Sequence, residues 1–137
     1  MDWVKYSMSD EPLEDWIGKA EQDFQYAQLG MRRQKNPLYD GVCFHSQQCA
    51  EKYLKAFLVR HRIKFRKVHD LDELYNPAAR ADESFKLIFD ALMVLNPYSV
   101  DIRYPGASAT KEDARDAVAA MKQVRTFVRA RLGLKSK

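Results

Sequence analysis

The chain has 137 residues, enough for one domain of ordinary size and too few for two, since compact domains cluster at roughly 100 to 150 residues. Apolar residues make up 46% of it, aromatics 12% and charged residues 31%, with five glycines and five prolines, which excludes wholesale disorder and the fibrous or loop-rich classes. The 23 Lys and Arg against 19 Asp and Glu leave a net charge of +4 and a pI near 9.1, an excess that admits an acidic or phosphate-bearing partner without requiring nucleic acid.

The opening Met1 to Pro12 carries charges of both signs and lacks the apolar run of a leader. No later stretch approaches the ~20 apolar residues of a membrane span. The two cysteines, Cys43 and Cys49, lie about 120° apart on a helix and cannot pair with each other. With no CxxC and no Cys/His spacing for zinc, neither a metal nor a cofactor is expected, and the cysteines read as small buried residues of a reducing, cytoplasmic setting.

From Leu13, apolar residues at Trp16, Ile17, Ala20, Phe24, Ala27 and Met31 repeat at helical spacing, so a first helix is expected over 12–34, with Ser9 or Asp10 as cap. Asn36-Pro37 breaks it. Tyr39 to Arg62 is apolar around more than half its circumference, which predicts a central helix covered on several sides. A basic stretch, Arg62 to Lys67, reads as a solvated connection and leads to a short helix over 69–75 with Asp70 at its start. Asp82 caps a fourth helix carrying Phe85, Ile88, Phe89, Leu92 and Leu95, which Asn96-Pro97 stops. After an irregular loop, Tyr98 to Ala109, the last helix starts at Thr110 with Asp113 completing a capping box, and Gly133 ends it. No window alternates with period two. The expectation is an all-α, single-domain, up-and-down bundle of four long helices and one short one, spanning 12–132 between an N-terminal extension (1–11) and a C-terminal tail (133–137).

There is no phosphate-binding glycine loop, no GxSxG, no HExxH and no aspartate pattern of a nucleotidyl-transfer metal site. The central helix carries one unusual stripe: His45, Gln48, Lys52 and Lys55 fall within about 80° of one another. Polar groups on an otherwise buried helix must meet water, acidic side chains such as Glu51, or an anion such as phosphate. In the loop, Pro105-Gly106 forms a turn that would hold Arg103 and Tyr104 in defined directions, as a guanidinium for phosphate and a ring for stacking. His69 reads as a residue that caps the short helix or supports the loop.

The segment Phe44-His45-Ser46-Gln47-Gln48-Cys49-Ala50-Glu51-Lys52-Tyr53-Leu54-Lys55-Ala56, followed by His69-Asp70-Leu71 and then by Tyr98 and Asp101-Ile102-Arg103-Tyr104-Pro105, resembles the HEPN domain family (higher eukaryotes and prokaryotes nucleotide-binding) over residues 12–131. The resemblance implies a helical bundle that forms homodimers, a nucleotide-binding or interaction module, and a separate small nucleotidyltransferase as companion in a pair of toxin–antitoxin type. Together with the polar stripe and the loop, it leads to the expectation that a bound nucleotide places its phosphates on His45, Gln48, Lys52, Lys55 and Arg103 and its base near Tyr104 or Tyr98, with His69 and Asp101 in support. The alternative within the family is a metal-independent ribonuclease toxin, whose site is an Arg followed after four to six residues by a His. Arg103 is followed at those distances by Ser108, Ala109 and Thr110, so the proton carrier of that chemistry is missing and an enzyme is disfavoured. Arg62 and His69 have the right spacing in the wrong place.

Overall fold

The computed structural model describes residues 11–100 and 105–135. Its elements are α1 (Leu13–Arg32), α2 (Tyr39–Arg60), α3 (Leu71–Ala81), a 3₁₀ segment (Glu83–Ile88) running into α4 (Phe89–Leu95), a second 3₁₀ turn (Asn96–Ser99) and α5 (Lys111–Arg131). The described residues contain no strand, and the expected all-α bundle is what the chain forms. No helix among them is long and apolar enough to cross a membrane.

Local chemistry accounts for most boundaries. The Thr110 side chain accepts from the Asp113 amide at 3.0 Å while the Asp113 carboxylate accepts from the Thr110 amide at 2.9 Å, the reciprocal capping box expected there. Asp70 caps α3 by accepting from the Asp72 amide, and Asp82 caps the 3₁₀ segment by accepting from the Ser84 amide. The first helix takes Pro12 at its N-cap without a side-chain bond, and Ser9 and Asp10 lie outside the described residues. At the end of α2, Arg62 adopts a left-handed φ of 57° and turns the chain back.

Two elements differ from expectation. The short helix runs on through Pro77 to Ala81, because a proline seven residues in removes only one amide from a helix otherwise well packed through Leu71, Leu74 and Ala78. The fourth helix is not continuous. Its tight 3₁₀ start turns Phe85 and Ile88 into the core, and regular α-helix is confined to Phe89–Leu95.

Contacts fix the topology. Glu21 meets Tyr53 and Gly30 meets Val42, so α1 runs antiparallel to α2. Asp40 accepts from the Ala109 amide near one end and Tyr53 accepts from Arg129 near the other, so α2 and α5 run parallel. Gln123 donates to the Leu87 carbonyl and Arg131 to Ser84, which sets the 83–95 segment antiparallel to α5. The segment after α2 climbs back along it before α3 descends, with the Leu71 amide donating to Asn96 at 2.8 Å. As its wide apolar arc required, α2 is wrapped by all the others: Val42, Cys43, Cys49, Tyr53, Leu54, Phe57 and Leu58 are all buried.

The crossing of α1 and α2 depends on one missing side chain. A Cβ on Gly30 would stand 2.8 Å from Val42 Cγ2, whereas one on Gly18 in the same helix would meet nothing within 4 Å. Gly30→Ala is therefore expected to destabilise the fold by about 1 to 3 kcal/mol through overpacking, while Gly18→Ala stabilises it by up to about 1 kcal/mol through helix propensity. Urea unfolding of the two variants beside the parent checks the opposite signs.

Candidate functional site

The polar stripe of α2 does not face open solvent. Its members divide between two buried carboxylates. Asp23, on the inner face of α1 between Ala20 and Ala27, is 6% exposed and accepts from His45 Nδ1 at 2.7 Å and from Lys52 Nζ at 2.5 Å. Glu51, 2% exposed, accepts from Lys55 Nζ at 3.0 Å and takes His69 Nδ1 at 3.1 Å on both oxygens. Gln47 and Gln48 also donate toward Glu51, Gln48 bonds Gln47 at 2.7 Å, and Gln47 holds the His69 carbonyl at 3.1 Å. The Lys55 ammonium also lies 5.4 Å from the centre of the Trp16 ring.

The structure thus brings His45 and Lys52 together on one acid, and Gln48, Lys55 and His69 on another. Two lysines facing two carboxylates leave the stripe with little net charge of its own. Tyr98 lies elsewhere: its hydroxyl is close to the Cys43 thiol on the side of α2 that meets α5, about 200° around the helix from His45. Burial, with Cys43 and Asp113 nearby, pushes the Tyr98 phenol up to about 12. Burial likewise pushes the Cys43 thiol up to about 12 and the Cys49 thiol higher, which makes both cysteines poor nucleophiles. Asp101, Arg103 and Tyr104 lie outside the described residues.

His45 opens onto a cleft of about 610 Å³ between the end of α1, the start of α2 and the loop before α5. Tyr26 stacks on its ring at a centroid distance of 4.9 Å and 28°, and Phe44 meets it edge-on at 5.4 Å. With Nδ1 held by Asp23, the imidazole has Nε2 unpaired among the described residues. Arg33, Tyr39 and Asp40 line the cleft, and Ser108 and Ala109 form part of its wall. The Ala109 amide donates to Asp40 at 2.7 Å, so the C-terminal end of the Pro105-Gly106 loop is tethered there.

A third cluster ties the bundle together. Glu21 of α1 receives Arg125 from α5 in a two-pronged bond, 2.7 Å from Nε and 2.8 Å from Nη2, and the Tyr53 hydroxyl of α2 also donates to it. Tyr53 in turn accepts from Arg129 at 3.0 Å. Burial, which raises the Glu21 pKa, is outweighed by the bonds from Arg125 and Tyr53 and by the charges of Arg125 and Arg129, and the carboxyl ends up below its ordinary value. Sequence reasoning passed over Glu21, Asp23, Arg125, Arg33 and Asp40, and read Tyr26 only as apolar surface for pairing. The available signal was a charge on an apolar face: Asp23 sits among Ala20, Phe24 and Ala27, and Arg125 among Met121, Val124 and Val128.

Comparison with known proteins then decides the family. The family model of the HEPN domain matches residues 13–131. The chain belongs to the HEPN domain family. This HEPN chain is 28% identical over 144 residues to the protein named "Putative toxin MJ1304" of Methanocaldococcus jannaschii, covering 88% of the chain and 90% of that protein. Its fold matches the crystal structure of TT1696 from Thermus thermophilus with a TM-score of 0.69 at 24% identity, over 86% of this chain and 96% of that one. It also matches ST0689, an archaeal HEPN homologue, with a TM-score of 0.65 at 24% identity, over 89% and 98%.

The Glu21 cluster yields a pH prediction. A carboxyl whose folded pKa lies below its unfolded value of about 4.3 contributes stability that is present above that value and lost as the pH falls through the folded pKa. Glu21→Gln should therefore be less stable than the parent at pH 7, and the gap should narrow as the pH is lowered below about 4. Urea unfolding between neutral and acidic pH measures it, and a gap independent of pH would remove Glu21 as the titrating group.

Proposed function

We propose that this HEPN chain is a nucleotide-binding module working with a small nucleotidyltransferase in a pair of toxin–antitoxin type. The observation that carries the proposal is the convergence of His45 and Lys52 on one buried carboxylate, with His45 also on the wall of a cleft that Ser108 and Ala109, the end of the loop bearing Arg103 and Tyr104 in the sequence, help to line. Because Asp23 and Glu51 neutralise the stripe lysines, the stripe alone is a weak anion site. A phosphate there needs additional charge, the role this proposal gives to Arg103, while Gln48, Lys55 and His69 hold the helix face in position through Glu51. The relative named as a toxin supports the toxin–antitoxin setting. The absence of a His after Arg103 argues against RNA cleavage by the family's usual route.

A charge-assisted hydrogen bond contributes about 1.5 to 3 kcal/mol, so Lys52→Gln and Arg103→Ala should each weaken nucleotide binding roughly 10- to 100-fold. Lys122→Ala, an exposed charge on α5, serves as control and should change it little. Calorimetric titration at two salt concentrations compares them, and equal small effects from all three would end the proposal.

A homodimer is part of the same proposal. In the sequence the aromatic surface of Trp3, Tyr6, Trp16 and Tyr26 points to pairing; Trp3 and Tyr6 lie outside the described residues, Tyr26 is 59% exposed, and Leu87 at 66% and Val94 at 43%, seven residues apart, leave further apolar surface uncovered on the 83–95 segment, which symmetric pairing most commonly covers. Sedimentation should give twice the 16.0 kDa chain mass, with Leu87→Glu shifting it toward the monomer. A monomer at tens of micromolar would refute the dimer.

A further inference from the structure

The cleft beside His45 has a composition that phosphate binding does not use. Tyr26 is 59% exposed, and Leu29 and Leu38, also on the wall, are 58% and 48% exposed. These three apolar groups stand around a ring pair already held in place: Asp23 fixes His45, Phe44 meets its edge, and Tyr26 stacks on its face. A flat apolar site built before any ligand arrives loses little side-chain freedom on binding. Its volume of about 610 Å³ lies within the range of small-molecule sites, which are mostly apolar with a few converging polar groups. The polar groups here are the His45 imidazole and the Arg33 guanidinium, whose Nε donates to the Lys35 carbonyl while its terminal nitrogens are unpaired among the described residues.

Resting on the reading that the His45 and Lys52 face takes phosphate, we propose that this cleft is the nucleobase subsite, the heteroaromatic ring of the ligand lying against Tyr26 between Leu29 and Leu38. Tyr98, engaged with Cys43 on the other side of α2, is then not the stacking residue. Geometry also sets the class of ligand. His45 Nδ1 and Lys52 Nζ hold the two oxygens of the one Asp23 carboxylate, at 2.7 and 2.5 Å, so the charged end of this face is compact and a single phosphate can meet it. A ligand with its base in the cleft and its charge on this face is a nucleotide, free or within a short run of linked nucleotides. Every base has a face to offer, so stacking on Tyr26 and apolar contact with two leucines discriminate poorly among bases.

The test separates the base from the phosphates. The parent protein, Tyr26→Ala, Tyr26→Phe and Lys52→Gln are titrated by calorimetry with adenosine 5′-triphosphate, uridine 5′-triphosphate, adenosine 5′-monophosphate, inorganic tripolyphosphate and a tetranucleotide RNA. Tyr26→Ala should weaken both nucleoside triphosphates about 10-fold or more, the loss expected when a stacked base loses its aromatic partner. It should leave tripolyphosphate unchanged, and Tyr26→Phe should restore binding. Lys52→Gln should weaken tripolyphosphate and nucleoside triphosphates alike, and the monophosphate should depend on Tyr26 and Lys52 as the triphosphates do. Tetranucleotide binding that depends on Tyr26 while the free triphosphates do not bind would support the subsite with linked nucleotides as its source. Nucleotide affinity that Lys52→Gln reduces and Tyr26→Ala does not would overturn the subsite and leave the phosphate reading standing. Binding of neither nucleotides nor tripolyphosphate would overturn both. Because Tyr26 is mostly exposed, Tyr26→Ala should keep the parent's thermal midpoint, and the Tyr26 ring resonances should shift on adding a nucleoside triphosphate but not tripolyphosphate in a subsite of this kind.

Discussion

A helix covered on most sides has little solvent to satisfy its polar groups, and α2 carries an imidazole, two ammoniums, a carboxylate and two amides across one face. An ion buried without a partner costs several kcal/mol, so the packing of the bundle must bring each charge an opposite one. Asp23 of α1 does this for His45 and Lys52, and Glu51 of α2 itself does it for Lys55 and His69. The register of α1 on α2 is set by that requirement as much as by the apolar contacts. Sliding α1 by one residue would turn Asp23 by about 100° and leave Lys52 and His45 without it.

Glu21, two residues before Asp23, extends the same logic to the third long helix. Through Arg125, Tyr53 and Arg129 it joins α1, α2 and α5 in one hydrogen-bonded group, and the two-pronged geometry of Arg125 makes the join directional. The two neighbouring carboxylates of α1 therefore do different work. Glu21 binds helices to one another, while Asp23 also orients an imidazole whose other nitrogen is unpaired, among the described residues, on the side of a cleft. Gly30 completes the arrangement by letting α1 approach α2 closely where the cleft begins.

The cleft and the stripe meet at His45, which belongs to both. Its surroundings combine a charged face already balanced by acids with an apolar hollow, and neither half alone recognises a ligand with much selectivity. A nucleotide has both kinds of surface in one molecule. The tether from Ala109 to Asp40 fixes the chain just before α5 at the same hollow.

Much of the fold was legible in the sequence because it depends on local chemistry. The apolar spacing of residues 13–31, 42–58 and 114–132, the capping box at Thr110 and Asp113, and the cap at Asp70 specify helices whatever packs against them, and the motifs around Phe44 to Ala56, His69 to Leu71 and Arg103 carried the family resemblance. The split of the fourth helix was not legible, because the apolar residues from Phe85 to Leu95 fit helical spacing and only packing against α5 and α3 favours a 3₁₀ start. The stripe of His45, Gln48, Lys52 and Lys55 was visible as a pattern, but its division between Asp23 and Glu51 was not, since Asp23 lies 22 residues from His45 in the chain. Spacing along one helix fixes which side chains share a face. Which charges a neighbouring helix brings to that face, and which cleft opens beside it, are decided only when distant segments pack.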